Sequence, residues 1–263
     1  MLRLENNHAA LECRRTPWDE RVFGFPCAEI TRFIISQEAA GLDLLGQFES
    51  WARVQDLQFA YGRFEPTRLV KQVMHQSGFY FAEASYRIRH HKLQSSVSFD
   101  RLIRAGPLLE TATEEDHEAL CTILATDFKY GRMHEDPWIA QALSSLRYRN
   151  WLTDLLVQQH EVYTYRFRGE VIGLHIQRDE GERVDLVLTG TKRSHALLGV
   201  SLWAEALRLN RLRGVREAHT LISAANIPII NLYRRFEFQF EEILLGFHKR
   251  WPKFLRVNAD EII

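Results

Sequence analysis

The sequence has no excess of either charge, with 34 Lys+Arg against 34 Asp+Glu in 263 residues. A chain with no net field gives no electrostatic reason to expect nucleic acid or an acidic lipid surface, and points toward a small-molecule or protein substrate. No apolar run approaches the roughly 18 residues that a membrane helix needs. The opening stretch "MLRLENNHAALECRR" lacks the apolar core of an export signal. Cysteine is scarce: Cys13, Cys27 and Cys121 are odd in number and widely spaced. That spacing forms neither a disulfide framework nor a metal motif, so reduced thiols, a cytoplasmic location and no bound metal are expected. Low-complexity stretches are also missing. What remains is an ordinary globular composition, 46% hydrophobic and 26% charged. It is long enough for one large domain or two modest ones.

Periodicity then organises the chain. Leu42, Leu45, Phe48 and Ala52 recur at helical spacing, and "LQFAYGRF" alternates like a strand. "PTRLVKQVMHQSGF" reads as a helix with Thr67 as cap and Gly78 at its end, followed by the strand "FYFAEASYRIRHHKL". Gly106-Pro107 interrupts the pattern and suggests a boundary, giving an N-terminal α/β domain over 1–105 and a second domain over 106–263. Thr113 and Asp116 have capping-box spacing before Leu120, Ile123 and Leu124. Asp136-Pro137 predicts a helix start, with Ile139, Leu143 and Leu146 inward. "EVYTYRFRGEVIGLHIQR" predicts a hairpin turning at Gly169, and "ERVDLVLTG" a central strand. An amphipathic helix carrying Leu198, Leu202, Ala206 and Leu209 then ends at Gly214. Strands alternating with helices define an α/β class with a mixed sheet.

The two halves echo each other. Laying Gly78 on Glu237 puts Phe79 on Phe238, Phe81 on Phe240 and Glu83 on Glu242. Met74 then falls opposite Tyr233, and Thr67 opposite Asn226. This short similarity suggests a duplication. If the Asn226–Tyr233 pair carries chemistry, only the second copy retains it.

Taken alone, Asn226 is a favoured helix cap and Tyr233 a core aromatic. The surrounding order carries more. Strand "VDLVLTG", helix "LLGVSLWAEAL", strand "EAHTLISAAN", helix "IPIINLYRRF" and strand "FQFEEILLGFHKRW" resemble the second half of a GCN5-related N-acetyltransferase (GNAT) domain. Asn226, Leu232, Tyr233 and Phe238 match that family's closing "N…LY…GF" pattern. With the preceding elements the resemblance covers roughly residues 108–250. "TPWDERVFGFPCAEI", "YGRMHEDP" and "FHKRWP" are similar to the members that acetylate nucleotide-linked 4-amino-6-deoxysugars, and they extend the resemblance to nearly the whole chain.

The resemblance implies a GNAT fold, a mixed central sheet flanked by helices, behind an N-terminal region; the internal echo suggests that this region is a degenerate copy. It implies transfer from acetyl-CoA to a primary amine, with no metal. Backbone at Val187, Leu188 and Thr189 corresponds to the strand that pairs with pantetheine. Ser194, His195, Ala196, Leu197, Leu198 and Gly199 correspond to the loop whose amides hold pyrophosphate at a helix N-terminus. Asn226 corresponds to a residue on the coenzyme arm, and Tyr233 to the proton donor for the departing thiolate, a phenol protonated at neutral pH. His134, Asp136 and Asp185 are candidates for the acceptor side, the general base among them. For His134 and Asp136 a loop histidine and a helix cap are the plain alternatives.

The chain departs from the family pattern at "RSHALLG", where Leu197 stands in place of the first loop glycine and Ser194 in place of Arg or Gln. Glu237 replaces the glycine of the "GF" pair. A small-molecule acceptor, a nucleotide sugar in particular, is the implied partner, with a homodimer left open. Two other classes stay open. One is a GNAT enzyme for a different amine, a peptide or a cell-wall precursor, including tandem folds that use aminoacyl-tRNA. The other is a non-catalytic binding module whose coenzyme loop has decayed.

Overall fold

The computed structural model describes residues 1–96 and 98–251; Pro252 of the "FHKRWP" motif lies outside them. In chain order the elements begin β1 (Leu2–Asn6), β2 (Ala9–Arg15), α1 (Pro17–Phe23), β3 (Cys27–Ile35), α2 (Glu38–Val54), β4 (Phe59–Phe64), α3 (Arg68–Gln76) and β5 (Tyr80–His90). They continue with β6 (Leu108–Thr111), α4 (His117–Asp127), α5 (Gln141–Val157), β7 (Glu161–Phe167), β8 (Glu170–Asp179) and β9 (Arg183–Thr191). The last are α6 (Gly199–Leu212), β10 (Glu217–Ser223), α7 (Ile227–Arg235) and β11 (Gln239–Arg250).

Two compact units share these elements. The first draws on Met1–Ser85, Gly131–Ser144 and residues from Glu242 onward; the second on Tyr86–Tyr130 and Ser145–Glu241. In the first, strands follow the order β1-β2-β3-β4-β11, and α2 and α3 bury Leu44, Phe48, Ala52, Val73 and Met74 against the sheet. In the second the order is β5-β10-β9-β8-β7-β6. There α6 covers one core (Leu186, Leu202, Leu207, Tyr233), while α4 and α5 cover another (Leu124, Leu155, Leu174, Leu188).

The echo in the sequence has a counterpart in the backbone. Helices α3 and α7 are nine residues each. Thr67 caps the first by accepting from the Val70 amide, and Asn226 caps the second by accepting from Ile229. Both end on a left-handed residue, Gly78 at φ 76° and Glu237 at φ 62°. Phe79 and Phe238 then donate their amides back to the carbonyls of Met74 and Tyr233. Each unit also has a parallel strand pair joined by a helix, β3–α2–β4 and β9–α6–β10.

Glu237 is exposed and holds a conformation that disfavours any residue with a Cβ by about 1–2 kcal/mol. Glycine returns about 0.5–1 kcal/mol of that through unfolded-chain entropy. Glu237→Gly is therefore expected to raise the thermal midpoint by about 1–3 °C in calorimetry.

The hairpin at Gly169 and the Thr113–Asp116 capping box form as read. The helix expected from Pro137 does not begin there. It starts at Gln141, and Leu146 is 41% exposed. Asp136 is the cause: its carboxylate accepts from the Trp138 amide at 2.8 Å and from Tyr80 and His248 at 2.6 Å each, which ties residues 136–138 into a turn.

Candidate active site

In the second unit, β9 and β10 run parallel but pair only at Arg183–Glu217, Val184–Ala218 and Asp185–His219. Both strands continue past that point without further ladder partners between them. Where they part, the Thr220 hydroxyl reaches across and donates to the Leu186 carbonyl at 2.7 Å. Backbone from Leu186 onward therefore has an edge that β10 leaves open.

A bulge shapes that edge. Ile176 of β8 faces Leu188, and Gln177 faces Leu186, so Val187 is an extra residue in β9. The consequence reads out in the cores: Leu186 packs under α6, whereas Leu188 packs under α4 and α5. A simple alternation would place Asp185, Val187 and Thr189 on one face. The bulge breaks that expectation and turns Thr189 toward α6, where its hydroxyl meets His175 at 2.8 Å.

Tyr233 enters the same region from α7. It is 3% exposed, edge-on to Phe238 (4.8 Å between centroids) and Trp203 (6.3 Å). Burial pushes its pKa above the ordinary tyrosine value, with Asp185 adding to the rise and Trp203 and Thr220 partly opposing it. The phenol is thus firmly protonated at neutral pH. Asn226, at the start of the helix, spends its side-chain oxygen on the Ile229 amide at 3.3 Å.

The loop before α6 forms a 3₁₀ turn over Arg193–Leu198 that runs into the helix at Gly199. Its N-terminal residue Arg193 is tied down through its amide to Asp127 at 2.9 Å, and Ser194 pairs with the His195 ring at 3.0 Å. No residue from Ser194 to Gly199 takes a positive φ, so the missing glycine is not needed for backbone conformation. The Leu197 side chain is 96% exposed, and α6 begins without a side-chain cap. The Gly199 amide donates back to the Ala196 carbonyl, and the positive end of the α6 dipole lies at this turn, where it favours an anion.

Asp185 bonds Arg178 at 3.1 Å and lies 4.0 Å from the His219 ring; burial raises its pKa, against the pull of these two neighbours. His134 and Asp136 belong to the first unit, and both are buried. There burial would raise the Asp136 carboxyl, but hydrogen bonds from His248 and Tyr80 hold it below the ordinary range. The arginines around the end of α6 are each matched by a carboxylate: Arg208 by Glu205, Arg211 by Asp100, Arg213 by Glu161 and Arg216 by Glu182.

Sequence reasoning missed His175 and Gln177. Their signal was present: two polar residues, two apart, in the otherwise apolar "VIGLHIQR". His175 is completely buried, and burial lowers its pKa to about 4. A histidine depressed in the folded state favours folding when neutral. Its contribution is intact above the unfolded value of 6.5 and is lost as pH falls toward 4. Between those limits the protein is expected to lose about 3 kcal/mol from this group. Urea denaturation at intervals across that window checks it.

No protein-family model and no curated protein matches the chain. Among solved structures it is similar to a functionally unknown conserved protein from Staphylococcus epidermidis ATCC 12228, at 8% identity and TM-score 0.67, over 94% of this chain and 92% of that one. It is similar to a tandem GNAT protein from the clavulanic acid biosynthesis pathway at 15% identity and TM-score 0.63, over 93% and 80%. A GCN5-related N-acetyltransferase from Sphaerobacter thermophilus matches at 13% identity and TM-score 0.61, over 92% and 76%. At such identities the likeness is one of fold. The chain has the GNAT fold, and the tandem neighbour agrees with the repeated frame of its two units.

Proposed function

We propose that the protein is an acetyl-CoA-dependent N-acetyltransferase acting on a primary amine. One observation carries the reading: the parallel ladder of β9 and β10 stops at Asp185–His219 while both strands run on, and Tyr233 is buried beside that opening. Open strand edge, uncapped helix N-terminus and protonated phenol suit, in turn, an extended amide-bearing arm, a pyrophosphate and a departing thiolate.

In this reading, backbone at Val187, Leu188 and Thr189 pairs with the pantetheine arm, and amides within Ser194–Gly199 hold the pyrophosphate. Asn226 borders the arm. The acceptor nitrogen, having lost its proton to solvent or to a base such as Asp185, bonds to the acetyl carbon. As the carbon–sulfur bond breaks, Tyr233 gives its hydroxyl proton to the sulfur.

For the acceptor we propose an amine on a nucleotide-linked 4-amino-6-deoxysugar. "TPWDERVFGFPCAEI", "YGRMHEDP" and "FHKRWP" resemble TDP-fucosamine acetyltransferase, and that resemblance alone supports this choice of acceptor. A cytoplasmic homodimer is the form proposed, with the second copy beginning near Gly106-Pro107. Calorimetric titration with acetyl-CoA tests the reading: saturable binding supports it, and its absence favours a decayed module. Turnover with TDP-amino sugars, against simple amines and peptides, tests the acceptor.

A further inference from the structure

A chain of hydrogen bonds runs from the half-exposed Glu161 to the buried His175 in the second unit, and its polarity can be worked out. It starts at Glu161, which Arg213 grips with two bonds of 2.6 and 2.7 Å. Those bonds hold the carboxyl below the ordinary range, so Glu161 can only accept. Gln177 must therefore turn its NH2 toward Glu161, which it does at 2.6 Å. A second anchor agrees. The Asn210 NH2 donates to the Ala206 carbonyl at 2.9 Å, and its amide exchanges bonds of 2.6 and 3.1 Å with that of Gln177. Both anchors leave the Gln177 carbonyl oxygen facing the His175 Nε2, 2.7 Å away.

That oxygen can only accept, so Nε2 carries the proton. The ring is completely buried and neutral, with the Tyr163 ring stacked on it at 5.9 Å. Nδ1 is then a bare acceptor, and the Thr189 hydroxyl 2.8 Å away must donate to it. A threonine whose proton is committed in this way cannot also donate to a neighbouring backbone carbonyl. It follows the bulged Val187 by two residues and fixes the strand where it turns back into register.

We propose that Glu161, Gln177 and His175 form a positioning chain that locks Thr189 as a donor into the protein and so holds the bulged edge of β9 in the form that pairs with the coenzyme arm. This rests on the reading of β9 as the coenzyme strand. None of the three touches the reacting atoms; they act through Thr189.

Two measurements test it. Nitrogen-15 NMR of the histidine rings in the whole protein, with His175 assigned by its loss in His175→Gln, is expected to show the Nε2–H tautomer. The Nδ1–H tautomer would overturn the polarity. Thr189→Val keeps shape and β propensity but removes the donor. It is expected to raise KM for acetyl-CoA about five- to tenfold, the weight of one hydrogen bond, with kcat little changed. Amide exchange at Leu188 and Thr189 should quicken, and Thr189→Ser should restore both. Bound acetyl-CoA with an unchanged KM in Thr189→Val overturns the positioning role alone. Failure of the wild type to bind acetyl-CoA overturns the enzyme reading and this assignment with it.

Discussion

Tyr233→Phe is expected to lower kcat by about 10²–10⁴-fold, the usual weight of a placed proton donor. Affinity for acetyl-CoA should stay within about twofold, because the phenyl ring keeps its contacts with Trp203 and Phe238. Loss of the hydroxyl alone removes an interaction made only as the thiolate forms. The pH profile gives a second check. Burial raises the phenol above its ordinary pKa, so the donor stays protonated through and beyond the usual tyrosine range. Activity should then show no alkaline fall attributable to Tyr233 below about pH 10. A folded Tyr233→Phe protein with wild-type turnover would end the assignment.

Asp136→Ala should have the largest effect on stability, a loss of about 3–5 kcal/mol in denaturant unfolding. The carboxylate is buried and accepts from Tyr80, His248 and the Trp138 amide. Its removal takes the acceptor from three donors, the completely buried His248 among them, and each unsatisfied donor is worth about 1–3 kcal/mol. Asp136→Asn should fall between, because an amide meets one of the donors with another donor. The sign with pH follows from the lowered carboxyl: its contribution is full above the unfolded value and fades as pH falls through the folded one. Asp136→Ala should lack that part of the acid sensitivity. A loss under about 1 kcal/mol would mean that water reaches the site.

Much of the fold could be read from local signals because those signals were local in cause. Thr67 and Asn226 announce caps, Gly169 a tight turn, and Thr113 with Asp116 a capping box; each acts within four residues of itself. The register of the two halves also survived in Phe79, Phe238 and the turn residues before them. Features that depend on distant partners stayed hidden. The bulge at Val187 is set by pairing with β8, and it turns Thr189 away from Asp185 in a way that no alternation pattern contains. His175 and Gln177 looked like interruptions in an apolar strand until Asn210 and Glu161 arrived from other elements. Asp136 read as a helix start because its partners Tyr80 and His248 lie 56 and 112 residues away.

The interleaving of the two units also has a consequence for synthesis. A ribosome releases roughly 5–20 residues per second, and folding units generally close as they emerge. Here the first unit cannot close early. Leu11, Phe48 and Met74 share a core with Phe247, and the turn at Asp136 depends on His248. From the appearance of Ser85 to that of His248, on the order of ten seconds, a half-built apolar face waits for its last strand. The nascent chain is a candidate client for chaperones throughout that interval. Any cut that removes the chain after Glu241 leaves the first unit, and not the one bearing Tyr233, without its closing strand.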